Sequence, residues 1–216
     1  MSRTQLSPRR LIETKPTNIG RIIIFCEGET DQYYFDYFAE IINKNKYTDI
    51  EVVLETANGN AQTVLNLAKK FMNDEKYNRK YSNYGKYLAF DCDDPSNIQE
   101  VIRAAKDYEL LISNHFFETW LLMHFEDINT KLTRQAIYNS LSKHLNAEYK
   151  KANKGQVREI IQNGSVEKAI DHAKLLEKRY KDEAKSIFTN ISEMNPYTSV
   201  HTLVEQFMIE ISSKAK

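Results

Sequence analysis

The segment Ile22-Ile23-Ile24-Phe25-Cys26, followed at once by Glu27-Gly28-Glu29, constrains this chain more than any other feature. A short unbroken run of β-forming apolar residues suits a strand covered on both faces, as in a parallel sheet. Its abrupt end in an acid and a glycine marks a turn. Thr30 is then expected to N-cap a helix that runs through Tyr34, Phe35, Phe38 and Ile41. The pattern recurs. Ile50–Glu55 reads as a second strand, and Asn58-Gly59-Asn60 breaks the chain before a helix with Val64, Leu65, Ala68 and Phe71 on one face. Lys86–Phe90 reads as a third strand ending at Asp91. Pro95-Ser96-Asn97 opens another helix, Tyr108–Ile112 reads as a fourth strand, and Phe116–Phe125 as a mostly buried helix. Alternating strands and helices predict an α/β domain with a mainly parallel sheet flanked by helices.

Beyond Thr133 the pattern is helical. Helices are expected over Arg134–Leu145 and Val166–Lys181, with a loop holding Asn153, Gly155, Asn163 and Gly164 between them. A last helix is expected to begin at Asn195-Pro196, capped by Asn195 or Thr198. The expected organisation is a flexible basic tail over 1–20, an α/β core over 21–130, and a mostly helical portion over 131–216 packed on that core. Hydrophobic residues make up 41% of the chain, enough for a sizeable core.

Net charge is zero, but it is unevenly spread. Residues 1–20 are net +3. Residues 21–130 hold 11 bases against 19 acids, and residues 131–190 hold 13 bases against seven acids. An acidic part suits cations and a basic part suits phosphates, although a solvated helical surface explains the basic part as well. No apolar run reaches the roughly 18 residues of a membrane span, and no signal-peptide pattern follows the basic start, so a cytoplasmic protein is expected. The two cysteines, Cys26 and Cys92, do not contradict that, and no Cys/His cluster has zinc spacing.

Chemistry in a parallel sheet gathers at the carboxyl ends of the strands. Glu27 follows the first strand; Asp91, Asp93 and Asp94 follow the third. If those strands are neighbours the carboxylates converge, and converging carboxylates repel unless a cation intervenes. Oxygen donors of this kind suit Mg²⁺ or Mn²⁺, which can activate water and stabilise charge on a phosphodiester. Strand-end turns rich in Asp and Gly account for the same residues without a metal. Glu118 lies among Phe116, Phe117, Trp120, Leu121 and Leu122, where a carboxylate is costly without a partner. A site role competes there with a buried ion pair or a helix-start acid. His124 and Trp120 read as core.

Four blocks in order resemble one family. Phe25-Cys26-Glu27-Gly28-Glu29-Thr30-Asp31-Gln32-Tyr33-Tyr34-Phe35 is similar to the opening motif of RloB-like proteins. That group includes the AbiLii components of abortive-infection systems and belongs with the Toprim superfamily. Phe90-Asp91-Cys92-Asp93-Asp94 resembles the Toprim aspartate motif. Ser113–Phe125 resembles the central block of the family, and Asn195–Val200 its C-terminal block. The resemblance implies a Toprim-like fold with a divalent-metal site. It puts a metal ligand or general acid/base at Glu27, metal ligands at Asp91 and Asp93 with Asp94 as a further candidate, and a second-metal acid at Asp31. Many relatives have Glu at the position of Asp31, and proline at that of His115. A family Tyr/Lys pattern falls near Tyr149-Lys150-Lys151 and Lys154; Lys151 fits it best, as the cation for a scissile phosphate.

The implied function is a metal-dependent endonuclease in bacterial anti-phage defence, acting on DNA, RNA or tRNA with an ATPase encoded by a neighbouring gene. The chain has no P-loop sequence of its own. A non-catalytic module that binds nucleic acid or the ATPase, a nucleotidyl-transfer or primase-like activity, and assembly of identical chains all stay open.

Overall fold

The computed structural model describes residues 19–44, 50–93 and 97–213. The first 18 residues, where most of the expected tail falls, and Asp94 lie outside them. β1 (Arg21–Cys26), β2 (Glu51–Thr56), β3 (Gly85–Asp91) and β4 (Glu109–Asn114) run parallel. The two-residue β5 (Tyr197–Thr198) closes the sheet antiparallel to β4. Strand order is β2-β1-β3-β4-β5. The chain leaves β1 toward β2 on one side, then returns across it to β3 on the other. That reversal opens a crevice at the carboxyl ends of β1 and β3.

The β1 run is buried on both faces because its side chains alternate. Ile22, Ile24 and Cys26 enter one apolar cluster, while Ile23 and Phe25 enter the other. The first cluster lies against α1 (Glu29–Lys44), which buries Tyr34, Phe35, Phe38, Ala39 and Ile42. The second lies against α2 (Ala61–Asn73), α3 (Glu75–Tyr81) and α4 (Ile98–Ala104). α2 starts at a capping box in which Asn60 and Thr63 satisfy each other's backbone N–H groups. α3 has no apolar stripe to signal it. It starts because the Asp74 carboxylate accepts from the N–H groups of Lys76 and Tyr77.

The remaining elements are α5 (Phe117–Leu122), α6 (Arg134–His144), α7 (Lys154–Asn163), α8 (Val166–Asp182), α9 (Ile187–Asn190) and α10 (His201–Ser213). Apolar side chains of α5, α6, α7, α8 and α10 enter the same cluster as α1. α7 stands where a loop was expected. Asn153 is its N-cap and Gly164 its C-cap, so the Asn/Gly signals mark the two ends of a ten-residue helix that buries Val157, Ile160 and Ile161. Two other expectations change. Thr30 lies inside α1, and its hydroxyl accepts from the Ala152 N–H at 3.0 Å. The Asn195-Pro196 block forms a cis peptide and leads into β5, with α10 starting only at His201. The Asn114–His115 peptide is also cis. No helix among the described residues is long and apolar enough to cross a membrane.

α10 is fixed to α1 by Phe207 stacked on Phe38, ring centroids 5.6 Å apart and both rings buried. Phe207→Ala should cost about 3–5 kcal/mol in urea unfolding, the usual range for deleting a buried phenyl ring. Ile209→Ala on the same helix, 42% exposed, should change stability by less than about 0.5 kcal/mol. Similar losses for the two would show that the α1–α10 contact does not hold the helix.

Candidate acidic site

Glu27 stands one residue past β1, and Asp91 ends the adjacent β3. The parallel register pairs Cys26 with Ala89, so the two acids meet across the crevice. The Glu27 carboxylate accepts the Asp91 backbone N–H at 3.0 Å. Asp31 reaches the same place from the first turn of α1. Its carboxylate accepts from the N–H groups of Glu27 at 2.9 Å and Gly28 at 3.1 Å. This is the backward reach of a carboxylate at the third position of a helix, which satisfies donors the helix cannot. Glu118 comes from the first turn of α5 and is 1% exposed. The hydroxyls of Tyr138 and Tyr149 both donate to its Oε1, each at 3.4 Å.

Glu27, Asp31, Asp91 and Glu118 line one recess of about 300 Å³, together with Gly28, Thr30, Asn58, Gly59, Phe117 and Lys151. Burial pushes Glu27 up to about 7, with Asp93 adding to the rise. The Asp91 N–H, Lys151 and Arg134 oppose it. Burial likewise takes Asp31 to about 7, against the backbone N–H groups that lower it. Asp91 is raised well above the carboxylate range by burial, then by Glu27, Glu118 and Asp31; Lys151 pulls the other way. Glu27, Asp31 and Asp91 therefore tend to hold protons near neutrality unless a cation replaces them.

Asp93 stands apart. Its side chain is 41% exposed and pairs with Arg134 at 3.7 Å, at the edge of the recess. The three lysines also separate. Lys151 lines the recess, Lys154 is held by Asp36 and Glu40 on α1, and Lys150 is exposed. His124 is core, as expected. Its Nδ1–H donates to the Trp120 carbonyl at 3.0 Å, leaving Nε2 to accept from the Tyr34 hydroxyl at 3.1 Å. Burial lowers it to about 4, so it stays neutral.

Three residues at or behind the recess, Tyr138, Asn58 and Gly59, carry no site motif in the sequence. Tyr138 carries no local signal. Asn58 and Gly59 follow β2, the other neighbour of β1. They were read only as a chain break, although their place at a strand's carboxyl end was a usable clue. The Gly59 N–H donates to the Glu27 carbonyl at 3.3 Å, and Asn58 has φ of 52°.

The donor set fits a hard divalent cation in its chemistry: four carboxylates share one recess with one lysine. The placement is not a closed coordination shell. Among the described residues, no group of three or more His, Cys, Asp or Glu side chains is arranged to hold a metal ion. Glu27 and Asp31 are turned toward backbone N–H groups instead.

A mostly parallel α/β sheet with buried acids at its reversal point defines the class of open-sheet α/β domains whose crevice lies at the carboxyl ends of the strands. Within it, the chain belongs to the RloB-like protein family, whose model matches residues 22–207. No curated protein and no solved structure matches the chain.

Carboxyl groups protonated in the folded state up to about pH 7, but only to about pH 4 when unfolded, lose stabilising power as pH rises between those values. A Glu27→Gln/Asp31→Asn variant has no such protons to lose. It should match the parent's melting temperature at or below about pH 4 and exceed it by several degrees near pH 8, without added metal. A difference that does not change with pH would mean these carboxyls are ionised throughout.

Proposed function

We propose that this chain is a Mg²⁺- or Mn²⁺-dependent endonuclease of bacterial anti-phage defence, working with an ATPase encoded by a neighbouring gene. The carrying observation is the recess in which Glu27, Asp31, Asp91 and Glu118 face Lys151. The family resemblance supplies the defence setting and the ATPase. Glu27, Asp31 and Asp91 would hold the cation, with Asp93 at the edge. When bound, such an ion lowers the pKa of water and stabilises charge on a phosphoryl oxygen.

The chain's own groups have separable tasks. Lys151 offers a positive charge to a phosphate oxygen at the mouth of an otherwise negative recess. Tyr138 and Tyr149 orient Glu118 and keep its buried carboxylate hydrogen-bonded. Glu118 and Asp91 are the groups placed to take a proton from an attacking water or return one to the leaving oxygen. The backbone bonds of Glu27 and Asp31 favour a second reading, a binding module without catalysis.

The deciding experiment is a panel of plasmid, single-stranded DNA and tRNA, with Mg²⁺ or Mn²⁺, with and without the cognate ATPase. Metal-dependent cleavage is expected. Asp91→Ala should abolish it while leaving melting temperature equal or higher without metal, because one repelling carboxylate is gone. Cleavage retained by this variant would remove Asp91 from the site. No cleavage of any substrate under any condition would leave the binding module.

Lys151→Ala should weaken nucleic-acid binding and reduce the slope of log affinity against log salt by about 1. Lys154→Ala should change that slope less, since Asp36 and Glu40 already occupy its ammonium. Equal slopes for parent and Lys151→Ala would place Lys151 off the phosphate path.

A further inference from the structure

Beside the acidic recess, next in sequence to its lining residue Phe117, stands a cluster of planar side chains that the cation site does not use. β4 ends at Asn114, beside the end of β3, and His115 and Phe116 follow directly. The His115 and Phe116 rings lie 5.5 Å apart with planes inclined by 32°. The Arg134 guanidinium sits over the Phe116 ring, 4.1 Å from its centroid. Arg134 also pairs with Asp93, and its charge is felt at Glu27. One cation–π contact would suffice to dock the start of α6. It does not require the partly exposed imidazole alongside, nor an arginine side chain left 47% exposed.

Depth is the second observation. Glu118 and Asp91 are 1% and 8% exposed, at the bottom of a recess of about 300 Å³ whose wall includes Lys151. A rigid duplex cannot bring a backbone phosphate down to such groups without unpairing. A single strand can, because its backbone bends and its bases are free to stack elsewhere.

We propose that the site takes an unpaired nucleotide, its base stacked at the His115–Phe116–Arg134 cluster and its phosphate beside Lys151. The substrate class is thus single-stranded nucleic acid rather than duplex. Imidazole, phenyl and guanidinium planes all accept bases in this way, without sequence preference. What happens to the phosphate rests on the nuclease reading; the binding does not.

The test uses the full chain carrying Asp91→Asn, in EDTA, with fluorescent oligothymidine, oligouridine of the same length and a blunt DNA duplex. The two single strands separate DNA from RNA as the source of the nucleotide. Both Arg134→Lys, which keeps the charge and removes the plane, and His115→Ala should weaken single-strand binding about tenfold while leaving duplex binding within about twofold. Phe116→Leu serves as a third variant that keeps the apolar contact with the core. Single strands should bind more tightly than duplex at equal salt. Equal binding of duplex, or equal losses across all probes, would overturn the proposal. If the oligonucleotides behave as expected and the chain with Asp91 intact cuts nothing with Mn²⁺, either alone or with the cognate ATPase, the nuclease reading falls and this one stands. If it cuts single strands and duplex alike, and the cluster variants alter neither, the reverse holds.

Discussion

The burial of neighbouring carboxylates, which disfavours their charged form before repulsion adds to it, is the constraint around which this site is arranged. Asp91 and Asp31 are almost wholly buried, and Glu27 sits between them. Burial raises the proton affinity of all three, and Glu27 adds to the rise at both Asp31 and Asp91. Such a group, Glu118 included, is tolerated because three of its four acids have a local donor. Asp31 takes the free N–H groups at the start of α1, Glu27 takes the N–H of Asp91, and Glu118 takes two phenol hydroxyls. The hydrogen bonds that make burial tolerable also fix where the carboxylates point.

The sheet explains why these acids meet. Reversal of chain direction at β1 makes β1 and β3 neighbours although about 60 residues separate them in sequence. The last helices then complete the site from outside the sheet. α5 supplies Glu118, α6 supplies Tyr138 and Arg134, and the segment before α7 supplies Tyr149 and Lys151. The α/β portion and the helical portion share one apolar cluster, and both contribute side chains to the recess.

Much of this was legible in the sequence because it rests on short-range signals. The β1 run, the α2 face and the strand-end acids all declare themselves within about ten residues. Their convergence followed from a general rule about parallel sheets rather than from spacing. What stayed hidden depends on contacts between distant segments. α7 was masked because Asn153 and Gly164 look the same whether they cap a helix or make a loop. β5 is too short to show a period. Tyr138 meets Glu118 only after α6 folds across α5. The three lysines around Tyr149 look equivalent in sequence. Only the acidic face of α1 separates Lys154, which it holds, from Lys151, which it leaves to the recess.

The segment that carries Lys151 is tethered in two unlike ways. One tether is the buried Thr30 hydroxyl on the Ala152 N–H. The other is a set of half-exposed ion pairs, Lys154 with Asp36 and Glu40 and Arg158 with Glu40. Electrolyte screens the second and leaves the first nearly untouched. Ionic strength therefore acts as a tension adjustment on this segment. As ionic strength climbs the ion pairs weaken first, and the segment beside Lys151 is left to its uncharged anchors, the Thr30 hydroxyl on Ala152 and the Ser142 hydroxyl on Tyr149.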